Sequence, residues 1–366
     1  MNDKNILFVG QGLGYSGSAK MLRFLVKGIG PSFKKNFVLV YDSDKENLFV
    51  KNDENVLHFE SFGVTRQNRN VFQKAINYVK MAKGIRNTVY QNDIDIVVAF
   101  TASMMIITKL ALYNWKGKVF GSERGGPQNK RKITNFMARK LFPKFDGLVF
   151  QTPKAQSFYG ESVSHNSIVI PNPYIPQIDE IEPFQGTRDK IIAAAGRLAR
   201  DKGFDILIRS FVIVSHTFSE FKLNIYGDGP EKEDLQQLIK ELKLENKVKL
   251  CGHVNNVAKE VREASVFVLS SRSEGIPNVL LEVMAAGVPC VATNCDSGGP
   301  AMLLDNNRRG VLVEPNNIGG LVEGIKKVIE DPELASVLGH NAMEIKDEYK
   351  PERIKGMWMD FILSKL

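Results

Sequence analysis

The chain has 366 residues, of which 43% are hydrophobic and 25% charged, and a net charge of +8. It is too long for one compact core, so two domains are expected, and its composition is that of a soluble globular protein. No apolar run approaches the roughly 18 residues of a membrane span. No basic flank, apolar core and cleavage site mark a signal peptide. The three cysteines (Cys251, Cys290 and Cys295) form neither a metal quartet nor an even disulfide set, which suits reduced thiols in the cytoplasm.

The first apolar run, "NILFV", leads into "GQGLGYSG" (Gly10–Gly17), in which Gly12, Gly14 and Gly17 spell G-x-G-x-x-G. A helix-like "SAKMLRFLVKGI" and a second strand, "FVLVYD", follow. Strand, glycine loop and helix start together offer free N–H groups and a helix dipole to an anion. Asp42 stands 25 residues past Gly17, later than the acid about 20 residues on that a dinucleotide ribose calls for. Nothing in the loop itself separates NAD from the diphosphate of a sugar nucleotide.

A helical stretch over 69–92 precedes the strands "IDIVVAFT", "KVFGSE" and "DGLVFQT", and "HNSIVIPNP" closes this half. Strand-length apolar runs alternating with amphipathic stretches predict a parallel sheet covered on both faces. "DSD" (42–44) and "DID" (93–95) look like Asp-x-Asp metal motifs, but both sit at strand ends, and no metal is expected. Residues 1–178 carry +13 and residues 179–366 carry −5, which points to anionic lipid or nucleic acid against one half only. Segment 129–145 concentrates Lys130, Arg131, Lys132, Arg139, Lys140 and Lys144. It interleaves them with Ile133, Phe136, Met137 and Leu141 at helical spacing. Such a basic amphipathic helix can lie on an anionic membrane; its apolar stripe could equally be core.

"PNPYIPQIDEIEPFQG" (171–186), with four prolines, cannot continue a helix or a central strand. It places a linker at 173–187 between an N-terminal domain at 1–172 and a C-terminal domain at 188–350. The second domain repeats the rhythm with "KIIAAAG", "FKLNIYGDG", "KVKLCGH", "VFVLSS", "PCVAT" and "GVLVEP". The tail, 351–366, is an amphipathic helix expected to pack back on the N-terminal domain. The fold class is α/β, with two Rossmann-like, doubly wound domains.

After the first strand of the second domain, "GRLARDKG" puts Arg197 and Lys202 around a turn that opens a helix, where they could neutralise a phosphate or be solvated loop cations. "SRSEGIPNVLLEVMAAGVPCVAT" places Glu274 in a loop and Glu282 on the first turns of a helix beginning near Asn278. Carboxylates there suit hydroxyl recognition beside an anion held by the helix N-terminus, and caps or surface charges fit the same pattern.

In this order and at these separations, "GRLARDKG", "IYGDGPE" and "EGIPNVLLEVMAAGVPCVAT" resemble the GT-B retaining glycosyltransferases of family 4 over most of residues 190–315. The resemblance implies two domains facing across a cleft. Arg197 and Lys202 would grip the donor diphosphate, Glu274 would lie by the transferred sugar, and Glu282 would bond the nucleotide ribose. The backbone of Gly275, Ile276, Pro277 and Asn278 would meet sugar and phosphate, and that of Gly252, His253 and Val254 the nucleobase. Gly14, Tyr15, Ser16 and Gly17 would lie near the diphosphate and the acceptor. Many members carry a histidine after the fourth or fifth strand; here "GSERGGPQ" (121–128) stands in its place, offering Glu123 or Arg124 to the sugar or acceptor.

The function implied is a retaining, metal-independent transfer of a hexose or N-acetylhexosamine from a nucleotide sugar, expected to be a UDP-sugar. The acceptor would be a lipid-linked oligosaccharide or a glycan, in cell-surface polysaccharide or glycoconjugate synthesis. No cofactor and no nucleic-acid partner are expected, and the enzyme would sit in the cytoplasm, peripheral on the inner face of the membrane. The alternatives are an NAD-dependent oxidoreductase, a nucleotide-sugar epimerase on the same fold, and a non-catalytic binder of anionic lipid or nucleic acid.

Overall fold

A computed structural model describes residues 2–13, 17–40, 58–62, 64, 71–126, 131–175, 182 and 184–366. The chain divides into two units, Met1–Asn172 with Glu352–Leu366, and Pro173–Pro351.

The first unit is built on strands β1 (Asn2–Val9), β2 (Phe33–Val40), β3 (His58–Ser61), β4 (Ile96–Phe100), β5 (Lys118–Glu123), β6 (Gly147–Phe150) and β7 (Ser167–Val169). They form one sheet in the order β3-β2-β1-β4-β5-β6-β7, with every pair parallel. Between them run α1 (Gly17–Gly28), α2 (Val71–Gln91), α3 (Ala102–Ala111), α4 (Lys132–Leu141) and α5 (Pro153–Ser157). Alternate side chains of a strand point to opposite faces, so an unbroken apolar run feeds two cores. Leu7, Val9, Val97 and Ala99 meet Met81, Ile85 and Val89 of α2 and Met104 of α3 on one face. Ile6, Phe8, Ile96 and Val98 meet Leu22 and Leu25 of α1 on the other. β3 is the strand that the apolar pattern misses: "HFES" is four residues at the sheet edge, with no run long enough to announce it.

The second unit holds β8 (Asp189–Ala195), β9 (Lys222–Tyr226), β10 (Val248–Gly252), β11 (Ala264–Leu269), β12 (Cys290–Thr293) and β13 (Val311–Val313). Their order is β10-β9-β8-β11-β12-β13, again all parallel. The helices are α6 (Phe204–Thr217), α7 (Lys232–Glu241), α8 (Val257–Val261), α9 (Asn278–Ala285), α10 (Gly299–Leu304), α11 (Ile318–Glu330), α12 (Pro332–Ala342) and α13 (Ile345–Glu348). The last helix, α14 (Pro351–Leu363), buries Ile354, Trp358, Phe361 and Ile362 in the core of the first unit beside Ile6 and Phe8. Where the chain leaves the first unit and where it returns, the two passes are joined by Tyr174 N–H donating to Tyr349 O at 2.7 Å. Both domains are therefore doubly wound α/β sheets.

Candidate active site

In the second sheet β8 leads outward to β9 on one side, while β11 lies on its other side. The helices after these two strands consequently cover opposite faces: α6 packs with Ile192 and Ala194, α9 with Ala193 and Ala195. An open α/β sheet leaves a crevice beyond the carboxyl ends of its strands at such a switch point. The loops after β8 and β11 carry Lys202 and Glu274.

The two side chains meet. Lys202 Nζ donates to Glu274 Oε1 at 2.5 Å, and Ser271 Oγ donates to the same oxygen at 2.9 Å. The loops that bring them together are stitched by further bonds. Ser270 Oγ donates to Lys202 O at 3.0 Å, and Arg272 N–H to Asp201 O at 2.8 Å. Arg272 also forks onto Asp205 at 2.8 and 2.7 Å and reaches Arg200 O at 2.6 Å. Burial alone would raise the Asp205 carboxyl, but the hydrogen bonds and charge of Arg272, with backbone N–H groups, hold it below the usual carboxylate range. Gly203, between Lys202 and α6, has φ +67°, and a Cβ there would lie 2.2 Å from Ser270 O, so glycine is required.

From behind, Thr293 Oγ1 donates to Ser271 O at 2.5 Å, and Cys295 Sγ contacts the same carbonyl at 3.2 Å. Burial pushes the Cys295 thiol up to about 12, and Cys251 and Cys290 are raised for the same reason. At neutral pH these are neutral thiols, not nucleophiles.

Arg197 leaves the same loop as Lys202 in another direction. Its side chain is 63% exposed and pairs with Asp201 at 3.2 Å. The loop is backed by "YGDG" (226–229): Gly227 would carry a Cβ 1.9 Å from Gly196 O, and Gly229 one 2.4 Å from Leu198 O. Gly227 N–H donates to Gly252 O at 2.7 Å. Gly252 itself has φ +78° and open space where a Cβ would stand, with His253 exposed and Val254 half-buried beyond it. After Glu274, Gly275 O lies so near Gly299 that a Cβ there would sit at 1.7 Å. Ile276 and Pro277 are buried, Asn278 opens α9, and Glu282 lies one turn in, 9% exposed.

In the first unit the switch point falls between β1 and β4. Gly14, Tyr15, Ser16 and Asp42 lie outside the described residues. Gly17 opens α1, and Arg23 Nη1 donates to Leu13 O, tying the helix to the loop. At the end of β4, Thr101 adopts φ +69°, an outlier for a β-branched residue. Its N–H donates to Ser122 O at 2.9 Å. Glu123 and Arg124 are both buried, with different partners. Glu123 Oε1 accepts from Gly125 N–H at 3.0 Å, and Tyr159 OH donates to Oε2 at 3.5 Å. Arg124 donates to Ser122 Oγ at 2.6 Å and Asn172 Oδ1 at 3.1 Å, and stacks over Trp358 at 5.5 Å. Burial pushes its guanidinium down to about 9, against the pull of Glu123.

Asp95, of the 93–95 acids, has a structural partner set at the amino end of β4: it accepts from Asn5 N–H at 2.8 Å and from Lys4 at 3.3 Å. Asp42 and Asp44 lie outside the described residues. Among the described residues no group of three His, Cys, Asp or Glu could hold a metal ion.

Of the residues singled out by sequence, Lys202 and Glu274 come into direct contact, while Arg197 turns to Asp201. The sequence reading passed over Ser271, Thr293 and the Arg272–Asp205 fork. Ser271 and Arg272 stand three and two residues before Glu274 in "SRSE", and that nearness was the one signal available.

Comparison with known proteins gives three kinds of likeness. Residues 177–345 match the family model of glycosyl transferases group 1. The chain is 27% identical over 309 residues to an uncharacterized glycosyltransferase of Haemophilus influenzae, covering 82% of this chain and 85% of that one. It is 31% identical over 220 residues to the N-acetylgalactosamine-N,N'-diacetylbacillosaminyl-diphospho-undecaprenol 4-alpha-N-acetylgalactosaminyltransferase of Campylobacter jejuni, covering 57% of this chain and 58% of that enzyme. The fold matches HepE of Anabaena, solved in complex with UDP, with a TM-score of 0.78 at 19% identity over 99% of this chain and 100% of that one.

Proposed function

We propose, from the match of residues 177–345 to the group 1 glycosyl transferases and the fold shared with HepE, that this chain is a glycosyltransferase that moves a hexose or N-acetylhexosamine from a UDP-sugar to a lipid-linked oligosaccharide or glycan acceptor. The observation that carries this is the partly buried Lys202–Glu274 contact at the β8/β11 switch point, where a cation and a carboxylate meet. The Campylobacter relative, by its name, transfers an N-acetylgalactosaminyl group to a diphospho-undecaprenol-linked sugar, and HepE is a UDP-bound neighbour. Both favour this donor and acceptor class.

On this reading the acceptor hydroxyl attacks the anomeric carbon on the face from which the diphosphate leaves. The bond from that carbon to the diphosphate oxygen breaks, the bond to the acceptor oxygen forms, and the acceptor proton passes to the departing diphosphate. Configuration is retained, and no protein nucleophile and no metal are called for. Lys202 and Arg197 meet the charge that develops on the diphosphate, by positioning and electrostatics. Glu274 orients sugar hydroxyls, Glu282 the ribose, and the 252–254 backbone the base. Arg124 and Glu123, at the carboxyl end of β5, are the groups this reading assigns to the acceptor. The acceptor is presented at the inner face of the membrane, to which the basic first half is drawn.

The test is release of nucleoside diphosphate that depends on acceptor, with donors first ranked by thermal shift, since a ligand stabilises the fold by mass action. Lys202→Ala should lower the rate by about 10²–10³. Release without acceptor would favour an epimerase or hydrolase, and saturable NADH binding would favour an oxidoreductase.

A further inference from the structure

On one face of the first sheet α2, α3 and α4 pack side by side in that order. Between them they contain eight lysines and arginines and no aspartate or glutamate. Their outward surface mixes these cations with large apolar side chains. On α2, Phe72, Ile76, Val79, Lys83, Arg86 and Tyr90 recur every three or four residues, a single stripe down the helix. The stripe lies opposite the buried Met81, Ile85 and Val89, so it faces directly away from the core. Phe72 is 83% exposed and Val79 69%. The neighbouring helices continue the pattern, with Leu110 and Tyr113 at the end of α3 and Ile133 and Phe136 on α4 all exposed.

A helix on the surface of a soluble protein turns its polar face to water, and scattered apolar residues need no account. Here they cluster on one helical layer among cations alone, whereas the second unit exposes only Ile175, Ile213 and Val337 among its described large hydrophobic residues. We propose that this three-helix face docks on an anionic lipid bilayer, with lysines and arginines at the head groups and Phe72, Ile76 and Val79 of α2 inserted between them. The charge pattern selects this occupant. Two copies of the face would bring like charges together. A nucleic acid would satisfy the cations but leave Phe72, Ile76 and Val79 in water. The inference rests on the reading of a membrane-borne acceptor for its purpose, and moves the main contact from the 129–145 helix to α2.

The experiment is flotation of the full chain with vesicles of phosphatidylcholine, alone or mixed with phosphatidylglycerol, without donor or acceptor. The chain should float with the anionic vesicles only, and less so as salt is raised from about 0.1 to about 0.5 M. Ile76→Glu combined with Val79→Glu should cut partitioning at least about tenfold, while Ile213→Glu in the second unit leaves it unchanged. The melting temperature and nucleoside diphosphate release with a water-soluble acceptor should not move in any of these variants. Equal partitioning of wild type and the double variant would overturn the proposal. So would failure of the wild type to bind anionic vesicles, or a dimer that the double variant dissolves. Since flotation uses no sugar donor, loss of the glycosyl-transfer reading would leave its result intact.

Discussion

Lys202 Nζ stands 2.5 Å from Glu274 Oε1, although 72 residues separate them in the chain. Their side chains are only 21% and 12% exposed, so the contact is shielded from bulk water, where a surface pair would contribute little. The free protein thus holds its ammonium in place with the carboxylate that the proposed mechanism assigns to the sugar, and Ser271 fixes that carboxylate in turn.

If the pair acts as a unit, its effects on turnover are not additive. Lys202→Ala and Glu274→Gln should each slow transfer, and the double variant should be about as slow as the worse single one, a coupling on the order of 0.5–3 kcal/mol. A double-mutant cycle in kcat measures this; simple multiplication of the two losses would show independent roles.

Gly299 opens α10 against the carbonyl of Gly275, one residue past Glu274. A Cβ would stand 1.7 Å from that oxygen, and neither backbone can swing aside. Gly299→Ala should therefore destabilise by about 1–3 kcal/mol or more and lower kcat, because the Glu274 loop must shift. Gly356→Ala is the control. With nothing within 4 Å of its Cβ, and a place inside α14, it should stabilise by about 0.5–1 kcal/mol. Urea unfolding of both variants decides the contrast.

Trp358 is fully buried beside Phe100 and under Arg124, so the last helix is part of the first unit's core. Trp358→Ala should cost about 3–5 kcal/mol. Its indole Nε1 has no hydrogen-bond partner among the described residues, so Trp358→Phe forfeits packing but no hydrogen bond and should cost clearly less. Denaturant midpoints of the two variants provide the check.

Glu344 is held by hydrogen bonds from Arg308 at 2.5 Å and Arg309 at 2.7 Å, which bring its carboxyl down from 4.5 to about 2. A carboxyl depressed in the folded state binds fewer protons there than when unfolded. Its contribution is complete above about pH 4.5 and is lost as the pH falls towards 2. The side chain is 43% exposed, so solvent screens part of the effect. The melting-temperature gap between wild type and Glu344→Gln should be constant from pH 5 to 8 and close between about pH 4.5 and 2.

Much of the architecture was legible because a strand of a parallel sheet is buried on both faces. Ile6–Val9 and Ile96–Phe100 read as unbroken apolar runs, and in the fold they are almost wholly buried. β3 escaped because an edge strand of four residues has no such run. Two acids and two cations near a helix start were equally visible. Their partners were not: Lys202 turned to Glu274 while Arg197 turned to Asp201.

By itself, then, the sequence determined the two series of strands and helices, the residue types gathered near the ends of β8 and β11, and the excess of positive charge in the first half. Those are local quantities, set by the periodicity and chemistry of neighbouring residues. Only the tertiary structure decided that Lys202 meets Glu274, that Trp358 returns to the first unit, and that α2 turns Phe72, Ile76 and Val79 to the outside. A repeat of three and four residues announces a helix with apolar positions; which of those positions faces the sheet depends on contacts between residues far apart in the chain.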